Sequence, residues 1–493
     1  VFIRHGDLTW NPEHPPLMKY LIGISTRASV QHVPEGLYET GTSSCYPYGG
    51  ALLYDVGNDA SALLFAARVP GMVLALALVL LTFVFARDLF GSAPALLPTA
   101  LVALYPPVLA HGHYAGDDVA TAVAIVAVCW CAYRARVRSP RWLAGVAVAL
   151  GVGLAFKFTL LPFVPLALAL VAWSMRPRTP WTRAALAGVA TLAGALAIVW
   201  IGYSLVAFPP TFDGPLPGPA SDAHGLLATI ARHLPVPEPF RVGVLYEIGL
   251  PDWARGAFLL GDRYNGVRPA YYPVLFAVTT PLAVLVAWGA GIVTTIRRRE
   301  TVTAVVTLVP AAWILLTAVF GNANAGVRTV LAAPVLLTIP VAGVVQRLAG
   351  RRAVVVGGGL VAATALSVGL AMPWALPYAN ELAGGPHRLY HVVSDGDWGQ
   401  DHNRLSAWLD THSAEPVVGL DLNTTLSSAQ LGLAPSRITY AELANLPDGL
   451  VVASTSLYNL HRDAYAPYPI VDQITPNLLV VRVGPGAVPA PPP

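Results

Sequence analysis

Runs of Ala, Leu and Val recur between residues 69 and 370 and alternate with short polar breaks. Each is roughly 20 residues long, and a helix rising ~1.5 Å per residue crosses a ~30 Å hydrocarbon core at that length. In lipid every backbone polar group must be satisfied inside the segment, so these runs are predicted to be helices. The first covers Val69–Phe90, followed by Ser92–Leu109 and Ala120–Tyr133. Trp142–Trp173 is too long for one span and fits a hairpin of two; Ala184–Phe208 comes next. A Pro- and Gly-rich polar stretch, 209–270, separates these from Pro273–Thr295, Val302–Phe320, Thr329–Val345 and Ala353–Leu370. The pattern predicts a polytopic α-helical membrane protein of about ten transmembrane helices.

Beyond residue 374 charged residues return. Strand-like runs at Val417–Leu420, Leu450–Ala453 and Leu478–Val483 lie between helix-like stretches such as Arg404–Leu409. That pattern predicts a small C-terminal α/β domain. The expected organisation is a first loop with interfacial helices over 1–65, a transmembrane domain over 66–373, the α/β domain over 374–485 and a disordered tail over 486–493.

Composition supports this picture. Hydrophobic residues make up 55% and charged residues 12%, with a mean hydropathy of +0.58. A soluble domain carries about 25% charged residues. The net charge of +3 resides in short arginine clusters between apolar runs, which argues for membrane topology and against a nucleic-acid partner. The clusters are Arg134, Arg136, Arg138 and Arg141; Arg176, Arg178 and Arg183; Arg297–Arg299; and Arg347, Arg351 and Arg352. Counting spans puts all of them on one side, which the positive-inside rule makes the cytoplasm. By parity, residues 1–65, the His111–Asp118 turn, the Lys157 turn, 209–270, 321–328 and everything after 374 lie outside. The expectation is a multi-pass plasma-membrane protein with its C-terminal domain extracytoplasmic. A chain that opens outside needs an upstream helix to get there, so an N-terminal truncation before Val1 is expected. Cys45, Cys129 and Cys131 show no metal or disulfide spacing and read as small apolar fillers.

The unusual polar residues gather in the outward segments. Asn11-Pro12-Glu13-His14-Pro15-Pro16 opens a short helix carrying Lys19, too short to span and suited to the interface. His111-Gly112-His113 leads to Asp117 and Asp118, of which Asp117 is also a candidate helix cap. Lys157 sits between Phe156 and Phe158 at a hairpin turn, and Arg328 follows Asn322-Ala323-Asn324-Ala325-Gly326-Val327 at the mouth of a span. Lysines here have a plain alternative, snorkelling to the interface, and Arg328 has one in an ion pair. Past the last span come Asn380-Glu381-Leu382-Ala383-Gly384-Gly385-Pro386 and Ser394-Asp395-Gly396-Asp397-Trp398-Gly399-Gln400-Asp401, dense turns that also serve as connectors. Carboxylates beside Lys19, Lys157 and Arg328 suggest a lipid phosphate as one substrate. The cations would hold it and a carboxylate would take the proton of the attacking group. Glu13, His14, His111 and His113 permit a divalent metal without requiring one.

Several of these motifs resemble those of protein O-mannosyltransferase-like enzymes, dolichyl- or polyprenyl-phosphate-mannose-dependent members of the GT-C glycosyltransferase superfamily. Glu13-His14-Pro15-Pro16-Leu17 with Lys19 is similar to the first outer loop, and Ala110–His113 ending in Asp118 to the next. Phe258–Gly261, Thr280–Leu282 and Asn324–Arg328 follow in the family's order. Tyr378–Pro386 and Asp397–Asp401 resemble a bacterial branch with a C-terminal soluble domain. The resemblance implies inverting transfer of a sugar, mannose by analogy, from a polyprenyl-phosphate carrier to a protein or glycan acceptor outside the cytoplasm. Glu13 and Asp118 then stand as catalytic residues, and Lys19, Lys157 and Arg328 as donor-phosphate ligands. His14, Asn324, Asn380, Glu381, Asp397, Trp398, Gln400 and Asp401 belong to acceptor-side or structural motifs. The family's acidic pair, with its presumed base, has no counterpart and is expected upstream of Val1. Thr279 stands where the family often has Lys. Two rival readings are a transporter or flippase of a lipid-linked substrate, which would need charged or broken helices near the midplane where this chain has its polar residues at span ends, and a non-catalytic scaffold of the same fold.

Overall fold

The computed structural model describes residues 5–34, 37, 45–176, 178–250, 256–321, 324–394, 396–412, 415–485 and 487. Asn322, Asp395 and all of the expected disordered tail except Ala487 lie outside them.

Apolar helices stand at every expected span. After the short helix α1 (Pro16–Thr26), the long α2 (Ala60–Phe90) starts where Asp59 accepts the Ala62 N–H at 3.0 Å. Next come α3 (Ser92–Ala103), α4 (Pro106–Gly112), α5 (Asp118–Val137), α6 (Trp142–Phe156), α7 (Val164–Met175, led in by a 3₁₀ turn from Phe158) and α8 (Trp181–Ser204). The polar loop folds into α9 (Glu238–Gly249) and a small hairpin, β1 (Ala257–Leu259) and β2 (Asp262–Tyr264). Then follow α10 (Tyr271–Thr279), α11 (Leu282–Arg297), α12 (Val309–Val319, continuous from Thr301), α13 (Ala332–Thr338), α14 (Val341–Gln346) and α15 (Arg351–Ala371). Among the described residues six helices are long and apolar enough to cross a membrane, or up to eight if each bent pair is one span. The shorter apolar stretches Trp142–Phe156 and Ala332–Gln346 occupy the other two expected positions. Small residues let helices approach closely: a Cβ on Gly151 of α6 would lie 2.6 Å from the Ala195 carbonyl oxygen of α8.

Two runs expected as single spans are broken. The α3–α4 pair bends by 62° and the α10–α11 pair by 119°. Proline is the cause in both. Pro106 and Pro281 have no N–H to continue the ladder, and their rings push the preceding Tyr105 and Thr280 into extended backbone (ψ 117° and 132°). The breaks meet, with Tyr105 Oη 3.2 Å from Thr280 Oγ1. Carbonyls freed at the second break are taken up by Asn380. Its amide nitrogen donates to Ala277 O (2.6 Å) and Thr280 O (2.8 Å), and its backbone N–H to Val278 O (2.8 Å). Its side-chain oxygen accepts from the Leu382 and Ala383 N–H groups. Asn380, expected as an acceptor-side or structural residue, therefore splints a broken helix; Glu381 beside it is exposed.

The arginine clusters collect at one end of the bundle. Asp88, at the foot of α2, accepts from Arg134 Nε (2.5 Å) and Trp130 Nε1 (2.8 Å), and its carbonyl from Tyr133 Oη (2.8 Å). Arg136 binds the Trp173 and Arg176 carbonyls, and Arg178 the Arg136 carbonyl. Gln346 reaches Phe90 O at 2.9 Å, and Arg347 pairs with Glu300, which follows Arg297–Arg299 directly. Asp118, Lys157 and the end of α15 occupy the opposite end.

The C-terminal sheet has strand order β3-β4-β6-β5: β3 (Val417–Asp421), β4 (Gly449–Ser454), β6 (Leu478–Val483) and β5 (Ile470–Thr475), with β3 and β4 parallel and the other pairs antiparallel. Every residue of β4 is buried. Val452 faces a cluster with Leu405, Leu420 and Val480, while Val451 and Ala453 face Ile438, Tyr465 and Val481. Strand β5 is the one the sequence pattern missed; Ile470, Val471 and Asp472 are exposed on it.

Asn380→Ala strands two carbonyls in a buried, water-poor break. We expect a stability loss on the order of 2–4 kcal/mol, read as a lower thermal midpoint in detergent; an unchanged midpoint contradicts the splint.

Candidate active site

The end of the bundle away from the arginines is organised by one lysine. Lys157 follows α6 in extended backbone (φ −156°, ψ 136°), which turns its side chain inward toward the start of α5. Its ammonium donates to Asp117 Oδ1 at 2.8 Å and Asp118 Oδ1 at 2.5 Å. The three side chains are only 7%, 13% and 7% exposed. One positive charge between two carboxylates leaves the trio at net −1. A buried lysine is tolerated here because its partners are buried with it. Asp117 occupies the N-cap position of α5 yet does not cap it, since its carboxylate is turned to Lys157. The ammonium of Lys157, expected at the donor phosphate, is bound by two carboxylates in this structure.

Above this trio lies the Asn11–His14 loop. His14 Nδ1 stands 3.4 Å from Asp117 Oδ2. Burial holds the His14 pKa below the usual range, so the ring meets that carboxylate as a neutral imidazole at neutral pH. Lys19 turns back from α1 to donate to the Asn11 and His14 carbonyls, the latter at 2.7 Å. Asn11 has a positive φ of 50° and donates its side-chain amide to Glu13. Lys19, expected at the donor phosphate, is thus the clamp of this loop, and burial pulls its pKa down to about 7.

Arg328 has a different environment. Its Nε donates to Ala325 O at 3.1 Å, and no carboxylate pairs with it among the described residues. Its guanidinium lies over Trp398, 4.8 Å from the ring centroid. His111 and Tyr114 pack on the same ring at 5.4 and 5.5 Å. Arg328 and His111 are both within electrostatic reach of Asp118. His111 is 7% exposed, and its Nδ1 is buried with no hydrogen-bond partner. A cation with donors to spare beside an unsatisfied buried nitrogen is an arrangement suited to a polar ligand. Asn324 holds the Arg328 turn by donating to Gly266 O at 2.9 Å.

Trp398 reaches this site from the C-terminal domain, and its neighbours explain how. Asp397 accepts from Ser456 Oγ (2.5 Å) and the Gly399 N–H (3.2 Å), and burial raises its carboxyl above the usual range. Asp401 accepts from Asn477 (2.8 Å), Thr475 (3.0 Å) and Arg404 (3.0 Å), while Gln400 accepts the Trp398 N–H at 2.7 Å. Gly399 has φ 72°, and a Cβ there would stand 2.8 Å from Asn423 O. Asp397, Gln400 and Asp401 face inward and fix the turn that presents Trp398.

One carboxylate at this end was absent from the sequence reading. Glu247, on α9, lies within reach of the Lys157, Glu13 and Asp117 charges. Its signal was a single acid near the end of a largely apolar helix, which loop composition hid. The residues that permitted a metal do not converge: His113 is exposed, His111 lies against Trp398, and among the described residues no three His, Cys, Asp or Glu form a metal-ligand group.

Residues 51–203 match the model of the dolichyl-phosphate-mannose-protein mannosyltransferase family, so the resemblance read from the motifs is supported over that stretch. No curated protein matches the chain significantly. Among solved structures, ArnT from Cupriavidus metallidurans bound to undecaprenyl phosphate is similar at 13% identity and TM-score 0.45, over 97% of this chain and 90% of that one. The apo form of the same protein aligns at 13% identity and TM-score 0.32, over 95% and 87%. The family match includes Asp117, Asp118 and Lys157. Lys157→Met leaves two buried carboxylates unpaired and is expected to lower stability by about 3–5 kcal/mol, measured as thermal unfolding in detergent. Adding Asp117→Asn and Asp118→Asn should recover most of that loss; no recovery contradicts the charge argument.

Proposed function

We propose that this protein transfers a sugar from a polyprenyl-phosphate carrier to an acceptor, at the end of the bundle opposite the arginine clusters. The observation that carries the reading is Arg328: a guanidinium without a carboxylate partner among the described residues, stacked on Trp398, beside the orphaned His111 Nδ1. A phosphate satisfies both. The family match supports the carrier and the reaction class. Mannose is the sugar that match favours, and a protein or glycan hydroxyl is the acceptor.

In this reading Arg328 holds the donor phosphate and stabilises the charge that grows on it as the glycosidic bond breaks. Lys157 holds the Asp117 and Asp118 carboxylates in place, and these carboxylates with Glu13 order the acceptor. Lys19 keeps Glu13 and His14 in place. The broken helices give the transporter reading its one point of support. However, the freed carbonyls at the second break are occupied by Asn380, and Tyr105 and Thr280 meet there. A plugged break suits a fixed wall better than a moving gate.

Under the positive-inside rule the arginine clusters support a catalytic end outside the cytoplasm, with the plasma membrane as the membrane of this reading. In a Cys45→Ser background, Ser427→Cys should react with a membrane-impermeant maleimide in intact cells. Arg138→Cys should react only after permeabilisation, and the reverse pattern contradicts the orientation. For the chemistry, Arg328→Ala should lower sugar transfer from polyprenyl-phosphate donors by about 10²–10³-fold. Arg328→Lys restores only part, since lysine lacks the planar fork that stacks on Trp398. Transfer unchanged in Arg328→Ala overturns the site; vesicle uptake without covalent transfer favours the transporter.

A further inference from the structure

The hairpin β1–β2 and the helical segment 455–465 of the C-terminal domain stand on either side of an open cleft of about 750 Å³. Ligand pockets run from about 300 to 1,000 Å³, so the cleft has room for a few linked sugar-sized units. Both walls are tied to the candidate active site. On the hairpin side, the Leu260 N–H donates to Val392 O at 2.8 Å. Gly266 O accepts from Asn324, the residue that holds the Arg328 turn. On the domain side, Ser456 donates to Asp397 in the turn that presents Trp398. Arg462 joins the two walls by donating to Gly261 O at 3.3 Å.

The lining of this cleft is polar and biased to positive charge. Arg263, Arg268 and Arg462 face Asp262 and Asp463, an excess of one cation. Asp262 is taken by Arg268 at 3.0 Å. Arg263 is exposed and makes no hydrogen bond or ion pair among the described residues. It lies within electrostatic reach of His461 on the opposite wall; burial and that charge hold the imidazole below its usual range, so it is neutral at neutral pH. His461 stacks on Tyr440, with centroids 3.5 Å apart and planes at 10°. Tyr440 lines the cleft and is 41% exposed, so this flat platform is open on its outer side. Among the described residues Leu460 and Ala464 are the only aliphatic side chains in the lining. A partner protein anchored by apolar side chains finds little to hold here. A hydrophilic ring with an acidic group finds an aromatic face and a planar guanidinium side by side.

We propose that the cleft between β1–β2 and the 455–465 segment is a remote acceptor subsite, and that it binds a glycan bearing carboxylate or phosphate groups through Arg263 and the Tyr440–His461 platform. The inference rests on the glycosyltransferase reading above and narrows its acceptor from a protein or glycan to an acidic glycan. An acceptor held here is gripped by units other than the one that reacts. Its binding energy positions the reacting hydroxyl, and the hydrogen bonds through Gly266 and Ser456 fix the cleft relative to Arg328 and Trp398.

The test is calorimetric titration of the full-length protein in nanodiscs with four probes: tetragalacturonate, mannose 6-phosphate, neutral maltotetraose and hexaglutamate. Tetragalacturonate should bind at least about tenfold more tightly than maltotetraose, because a bidentate arginine–carboxylate contact contributes about 1.5–3 kcal/mol. Mannose 6-phosphate binding more tightly than tetragalacturonate assigns the anion as phosphate, and the reverse order assigns it as carboxylate. Arg263→Glu should weaken the preferred acidic glycan by at least about tenfold, and Tyr440→Ala should weaken both it and maltotetraose. Undecaprenyl phosphate binding near the wild-type value in both variants shows that they are folded. Equal affinity for acidic and neutral glycans, or acidic-glycan binding unchanged in Arg263→Glu, overturns the proposal. Hexaglutamate binding as tightly as the acidic glycans overturns it in favour of an acidic peptide. The titration needs no catalysis, so the two readings fail separately. Arg263-dependent glycan binding by a protein that transfers no sugar from any polyprenyl-phosphate donor keeps the glycan site and overturns the transferase. Transfer by a protein that binds none of the glycans overturns the subsite alone.

Discussion

The arrangement of the site depends on the contact of Lys157 with Asp117 and Asp118. An ammonium and two carboxylates at the end of an apolar bundle are tolerable only together. Their contact ties the start of α5 to the end of α6, two helices that also meet through small side chains and, at the far end, through Arg134 over Trp142. In the proposed function the lysine, bound to both aspartates, leaves the phosphate to Arg328, the cation that has no carboxylate partner among the described residues. Burial keeps the Glu247 carboxyl high, against the pull of the Lys157 ammonium.

A second constraint is the proline placed inside two apolar runs. Each break forces the chain to find other partners for backbone groups that lipid cannot satisfy. At Thr280–Pro281 the partner is Asn380, brought back from beyond α15. The same return path leads into the domain whose turn at residues 397–401 presents Trp398. Helix break, splint and aromatic platform are consecutive consequences of one chain reversal. The C-terminal domain is accordingly part of the candidate site, since its tryptophan underlies Arg328 and packs His111 and Tyr114.

Much of this layout was legible in sequence because lipid imposes a strong pattern. Apolar runs marked where helices stand, and arginine clusters marked one end of the bundle. The Pro106 and Pro281 breaks were legible in principle, but run length outweighed the proline rule. The inward-facing roles of Asp397, Gln400 and Asp401 were not legible, since nothing in a polar turn says which side chain faces the sheet. Lys19 and Lys157 read as free cations because pairing distances are tertiary information. Glu247 stayed hidden for the same reason: only the packing of α9 on Pro12 and Phe158 brings it to the site.

The central claim is that a lipid-borne phosphate sits on Arg328 while Lys157 stays with its two aspartates. The most direct measurement is an electron cryomicroscopy structure of the full-length protein in nanodiscs containing undecaprenyl phosphate. The account predicts phosphate density within hydrogen-bond reach of Arg328 and His111, with the Lys157–Asp117–Asp118 contacts intact. Phosphate density on Lys157 with those contacts opened, or at the arginine-rich end of the bundle, would contradict it.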